Sequence, residues 1–96
     1  MSQLVVIATV VAKNESAEQL RGELLKLVAS TRQEDGCINY TLHQDNENPA
    51  VFMFHETWES PAHLASHIAS GHYRAYAAAA ESLVAGRSVN RLTRIG

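Results

Sequence analysis

The stretch from Phe54 to Tyr73, FHETWESPAHLASHIASGHY, concentrates the side chains that have chemistry to offer. Glu56 brings a carboxylate and Trp58 an indole, while His63, His67 and His72 bring imidazoles, the last followed directly by Tyr73. Imidazole titrates nearest neutral pH, so His67 and His72 are the candidate catalytic acid/base groups. Tyr73 divides between core and pocket, with a hydroxyl able to reach a substrate oxygen. Trp58 either walls a pocket against which an aromatic ligand stacks or is a plain core or interface residue. Glu56 reads as a buried structural carboxylate held by an arginine or a helix N-terminus, or as a base. Asn39 and His55 are the remaining candidates for binding substrate, although His55 can equally face the helix layer.

His63 and His67 are four residues apart and share a helix face, a spacing that can ligate a metal. No glutamate follows His63 in the manner of a zinc-protease motif, and Cys37 is too isolated to complete a tetrahedral set. No metal site is therefore expected, and Cys37 is read as a small packing residue.

These groups need a scaffold to bring them together. Leu4 to Val11 is apolar at nearly every position and reads as a strand buried on both faces. Ser16 opens a helix, with Gln19 at capping-box spacing, a stripe of Leu20, Leu24, Leu27 and Val28, and Gly36 as the terminating glycine. Cys37 to Gln44 is a second strand, Asp45 to Pro49 a turn, and Val51 to Trp58 a third strand. Ser60-Pro61 is an N-cap followed by proline at the first helical position, and Ser70-Gly71 interrupts the helix that follows. Helical spacing resumes through Tyr73, Ala77, Ala80 and Val84 until Gly86. Ser88 to Ile95, with arginines nearby, is a last strand at a sheet edge.

The order β-α-β-β-α-β is that of an α+β, ferredoxin-like antiparallel sheet with helices on one face and the first and third strands central. Two helical segments cover one side of such a sheet, which leaves apolar side chains on the other. A second copy meeting it sheet to sheet is the simplest partner.

Ninety-six residues suit one small domain spanning 1–96. A net charge of −2, with eight Lys and Arg spread along the chain, gives no clustered basic face for nucleic acid. No apolar run approaches the roughly 20 residues needed to cross a bilayer. The opening MSQLVVIATVVAKNE lacks a basic leader and reads as a strand, and a lone cysteine suits the reducing cytoplasm.

Three features in order, Glu34-Asp35-Gly36-Cys37 with Tyr40 after it, Glu56-x-Trp58-x-Ser60, and His67 followed by His72-Tyr73, resemble the antibiotic biosynthesis monooxygenase family. The resemblance implies a dimeric α/β barrel and a cofactor-independent monooxygenase that oxidises a small quinol or phenolic aromatic with O2. It assigns His67 or His72 as base, Trp58 as wall, and Tyr73 with Asn39 as orienting groups. A haem-degrading branch would place its tryptophan and iron-ligating histidine at His67 and Ala77, and alanine cannot ligate iron. A branch that isomerises phosphorylated autoinducer-2 is similar around His67 to Tyr73 and would use Arg74, Arg87 or Arg91 for phosphate. A non-enzymatic dimer that binds small molecules is the third reading.

Overall fold

The computed structural model describes residues 3–96, so Met1 and Ser2 of the expected first strand lie outside the described residues. Its elements are β1 (Leu4–Ala12), α1 (Ala17–Thr31), β2 (Cys37–Gln44), β3 (Val51–Trp58), α2 (Pro61–Ile68), α3 (Gly71–Ala80) and β4 (Val84–Leu92). The strands form one antiparallel sheet in the order β2-β3-β1-β4. This is the expected ferredoxin-like α+β fold with β1 and β3 central, its second helix divided in two.

Residue parity decides which side of the sheet becomes core. Val6 and Val10 of β1, Phe52, Phe54, Glu56 and Trp58 of β3, and Tyr40 of β2 are all buried on the helix side. Fully burying each large apolar side chain contributes about 1.5–3 kcal/mol. From above, α1 adds Leu20, Leu24, Leu27 and Val28 and α2 adds Leu64. The opposite face carries Val5, Ile7, Met53 and Val11 with no helix over it, and Met53 is 41% exposed.

Sequence and structure part company at the element ends. Ser16 has ψ near 0° instead of an extended backbone, so its hydroxyl caps no amide and the capping box does not form. The first helix stops at Thr31, well before Gly36. Gly36 instead occupies the left-handed region, at φ +82°, in a turn closed by Cys37 N–H donating to the Glu34 carbonyl at 3.3 Å. A side chain there would also overlap the His63 ring. The third helix stops at Ala80, and Gly86 lies inside β4 because β4 pairs with β1 from Ala12↔Val84 onward. That strand is at the edge as expected, starting earlier and ending sooner than Ser88 to Ile95.

Candidate functional site

A cavity of about 380 Å³ opens between the sheet and the α2–α3 pair. Its floor is built in cross-strand rows: Glu56, Val6 and Arg91 in one, Phe54, Ala8 and Val89 in the next, Val10 and Arg87 in the third. The small Ala8 at the centre leaves the space. His67, Tyr73 and Tyr76 hang over it from the helices, with Leu64 and Leu27 closing the apolar walls.

Two serine caps set the roof. Ser60 accepts from the His63 amide and starts α2 with Pro61 behind it; Ser70 accepts from the Tyr73 amide and starts α3. The break between them turns the chain so that His67, near the end of α2, and His72, at the start of α3, converge on Glu34. His67 Nδ1 lies 2.7 Å from Glu34 Oε2, and His72 Nε2 lies 2.6 Å from the same oxygen. An ionised carboxylate can only accept, so each ring donates an N–H and the lone pair of His67 is left on Nε2. The tautomer follows from the partner, as in the orienting acid of a hydrolase triad.

His67 is 2% exposed and caged by rings. Its centroid lies 4.8 Å from that of Trp58, 5.0 Å from that of Tyr73 and 5.5 Å from that of Tyr40. Burial pushes its pKa below the ordinary histidine value; Glu34 opposes that shift and His72 adds to it. Glu56 is 4% exposed, and its Oε1 accepts from Trp58 Nε1 at 2.9 Å. Burial pushes its carboxyl up to about 7, against the stabilising indole N–H, with repulsion from Glu34 adding to the rise. Burial and the neighbouring Tyr73 phenol raise Tyr76, which Arg87 partly offsets.

Of the sequence-predicted residues, His67 and Tyr73 line the cavity. His72 does not; it reaches the cluster through Glu34. Trp58 lies behind His67 as fully buried core and is not the expected wall. Asn39 and His55 are on the opposite face of the sheet, where Asn39 Nδ2 lies 2.6 Å from His55 Nδ1. The correction is one of parity: His55 alternates with Glu56, so it cannot share the cavity side with it. Glu34, two residues before Gly36 and visible only as part of a motif, is the residue that spacing did not single out; Arg87, named before only for phosphate, donates from Nη2 to the Tyr73 hydroxyl at 3.1 Å.

Glu34, His67 and His72 are also donor types that a divalent cation takes, with one atom of each within 4.8 Å of the others. Ligand atoms around a tetrahedral zinc stand roughly 3.3 Å apart. The contacts at Glu34 are 2.6 and 2.7 Å, the separations of shared protons. His63 takes no part: its Nδ1 lies 2.8 Å from Ser60 Oγ and its Nε2 3.8 Å from Asp35 Oδ2.

Comparison with known proteins gives a consistent set of matches. The family model described as antibiotic biosynthesis monooxygenase matches residues 3–79. A Mycobacterium tuberculosis protein named "Putative monooxygenase" is 32% identical over 77 residues, covering 80% of this chain and 75% of that protein. A Pseudomonas aeruginosa crystal structure superimposes with a TM-score of 0.96 at 34% identity, over 100% of this chain and 97% of that one. A Deinococcus radiodurans structure, which bears the family's name, gives a TM-score of 0.87 at 28% identity, over 97% and 92% of the two chains.

Proposed function

This chain belongs to the antibiotic biosynthesis monooxygenase family, and from that premise we propose that it is a cofactor-independent monooxygenase of a small quinol or phenolic aromatic. The observation that carries the reading is His67: a buried imidazole on the wall of an apolar cavity, its Nδ1 tied to Glu34 and its Nε2 left free. That is the arrangement of a general base.

The chemistry runs on the substrate's own electrons. His67 Nε2 takes the phenolic proton, and Glu34 stabilises the imidazolium that forms. The electron-rich phenolate passes one electron to O2, and the substrate radical and superoxide combine at a ring carbon. Loss of water from the resulting peroxide leaves one oxygen atom on the ring as a carbonyl, so substrate and O2 become quinone and H2O. Dry walls of Val6, Ala8, Val10 and Phe54 keep the radical pair from bulk solvent, and the Tyr73 hydroxyl orients the substrate oxygen.

The protein works as a homodimer of single-domain protomers, with the helix-free sheet face as the interface, in a reducing compartment such as the cytoplasm. The isomerase reading draws support from Arg87 and Arg91 at the cavity. The rest of the wall is mostly apolar and aromatic, which favours oxidation. The test is oxygen uptake with 1,4-dihydroxynaphthalene. Wild type consumes O2 and His67→Ala does not; equal uptake by the two removes His67 as base, and no uptake by wild type with a panel of hydroquinones removes the oxidation reading.

A further inference from the structure

One side of the cavity does not resemble the rest. Arg87 and Arg91 project from β4 on the helix side of the sheet, on either side of Val89 and beside Val10 and Val6 of the floor. Their cross-strand neighbours Val6 and Val10 are 1% and 7% exposed, while both arginines are themselves exposed, so the cations stand at the rim of the core. Neither arginine has a salt-bridge partner among the described residues. The Arg87 side chain donates to the Tyr73 hydroxyl, at 3.1 Å.

An arginine that only protects a sheet edge from aggregation gains nothing from a cavity wall. Both arginines stand on the cavity side of β4, exposed at its rim, while the helix-free side carries the neutral Ser88 and Asn90. Along the strand the two arginines are about 13 Å apart, a span their side chains can close from both ends over Val89. Guanidinium groups without carboxylate partners beside an apolar, ring-sized space match a ligand with two unlike ends. The stretch matched by the family model ends at residue 79, so β4 and both arginines lie beyond it.

We propose that Arg87 and Arg91 form an oxyanion subsite, and that the ligand of this cavity is an aromatic ring bearing a carboxylate or phosphate group. The ring lies over Ala8 beneath Tyr73 and Tyr76, the anionic group sits above Val89 between the guanidinium groups, and a ring hydroxyl faces His67. This deepens the oxidation reading and rests on it for the reacting hydroxyl, but not for the binding preference.

Binding is the test, because it needs no turnover. By calorimetry at low salt, 2-naphthoate binds wild type about ten-fold or more tightly than the neutral 2-naphthamide, and the preference shrinks as salt is added. Arg87→Met with Arg91→Met keeps the apolar stems and brings the ratio close to one. A comparison of 2-naphthoate with 2-naphthyl phosphate tells which oxyanion fits, and a preference for either over the amide supports the subsite. Wild type binding neither naphthoate nor naphthyl phosphate more tightly than naphthamide would overturn it, as would a ratio unmoved in the double variant. Inorganic phosphate binding as tightly as naphthoate would also overturn it, because the ring would then contribute nothing. A retained naphthoate preference without O2 uptake strikes the oxidation reading alone; O2 uptake with no preference strikes this inference alone.

Discussion

The two faces of the sheet each carry a histidine bonded to a polar partner, and only one of them is placed to do chemistry. On the helix side, His67 is packed among Trp58, Tyr40 and Tyr73 and fixed by Glu34. On the bare side, His55 is exposed and bonded to Asn39, which is half-buried. Both strand ends are rich in polar groups, so residue type does not separate them. What separates them is what lies above: a cap-broken helix pair shields His67 from water and lowers its pKa, and nothing within the chain does so for His55. Burial makes an imidazole neutral, and a single carboxylate contact makes it directional.

The sharpest way to break that contrast is to remove each histidine in turn. His67→Ala lowers kcat for oxygen uptake by roughly 10²–10⁴-fold, the usual worth of a positioned acid/base group. His55→Ala and Asn39→Ala, at the same protein concentration, change it by less than about two-fold. A comparable loss from the open-face changes would erase the distinction between the faces.

Glu56 extends the comparison to stability. Its folded-state pKa of about 7 stands above the 4.5 of an ordinary glutamate, so its protonated form stabilises the fold fully below pH 4.5. That contribution is lost as pH rises through 7. Glu56→Gln keeps an oxygen for the Trp58 N–H and carries no charge to bury. It is expected to be more stable than wild type at pH 9 by on the order of 2–3 kcal/mol, and close to wild type at pH 4. Urea denaturation at the two pH values checks it, and an equal effect at both would show that the carboxyl is not strained by burial.

The turn that delivers Glu34 offers a smaller effect. Gly36→Ala must hold a positive φ and also displace the His63 ring, and costs roughly 1–3 kcal/mol in thermal or urea unfolding. Gly22 on the outer surface of α1, where an added methyl meets nothing, gains stability from the same change by about 0.5–1 kcal/mol.

Smaller again is Glu34→Gln. Glutamine still holds the ring but cannot stabilise an imidazolium, so kcat falls by about ten-fold. The carboxylate raises the His67 pKa; without it, the acid limb of the pH–rate profile moves to lower pH. A role that is only structural would lower activity without moving that limb.

Much of the scaffold was legible, and the reasons it was legible explain the failures. The second and third strands lie where alternation puts them, at Cys37–Gln44 and Val51–Trp58, because their inward positions carry Tyr40, Leu42, Phe52 and Phe54. The break at Ser70-Gly71 was visible because a serine-glycine pair is a common place for a helix to kink. Gly36 and Gly86 misled because glycine marks a turn, a helix end or a strand with equal ease, and only pairing with distant residues decides which. His55 and Asn39 could have been excluded by counting parity from Phe54. Glu34 could not be found by spacing, since its partners lie 33 and 38 residues away and meet it only after the helices fold over the sheet. Arg87 and Arg91 read as edge-strand charges, or with Arg74 as phosphate ligands on the isomerase resemblance, and only register shows them paired with Val10 and Val6.

The central claim is that His67 waits in the cavity as a neutral, Nδ1-protonated base with Nε2 turned to the ligand. Ring ¹⁵N NMR of the histidines, titrated over pH 4–8 with and without 2-naphthol, tests it directly. The account predicts an Nδ1–H tautomer for His67 that stays neutral below pH 6.5, with an Nε2 resonance that moves when the phenol binds. An Nε2–H tautomer, or an Nε2 resonance indifferent to the ligand, would contradict it.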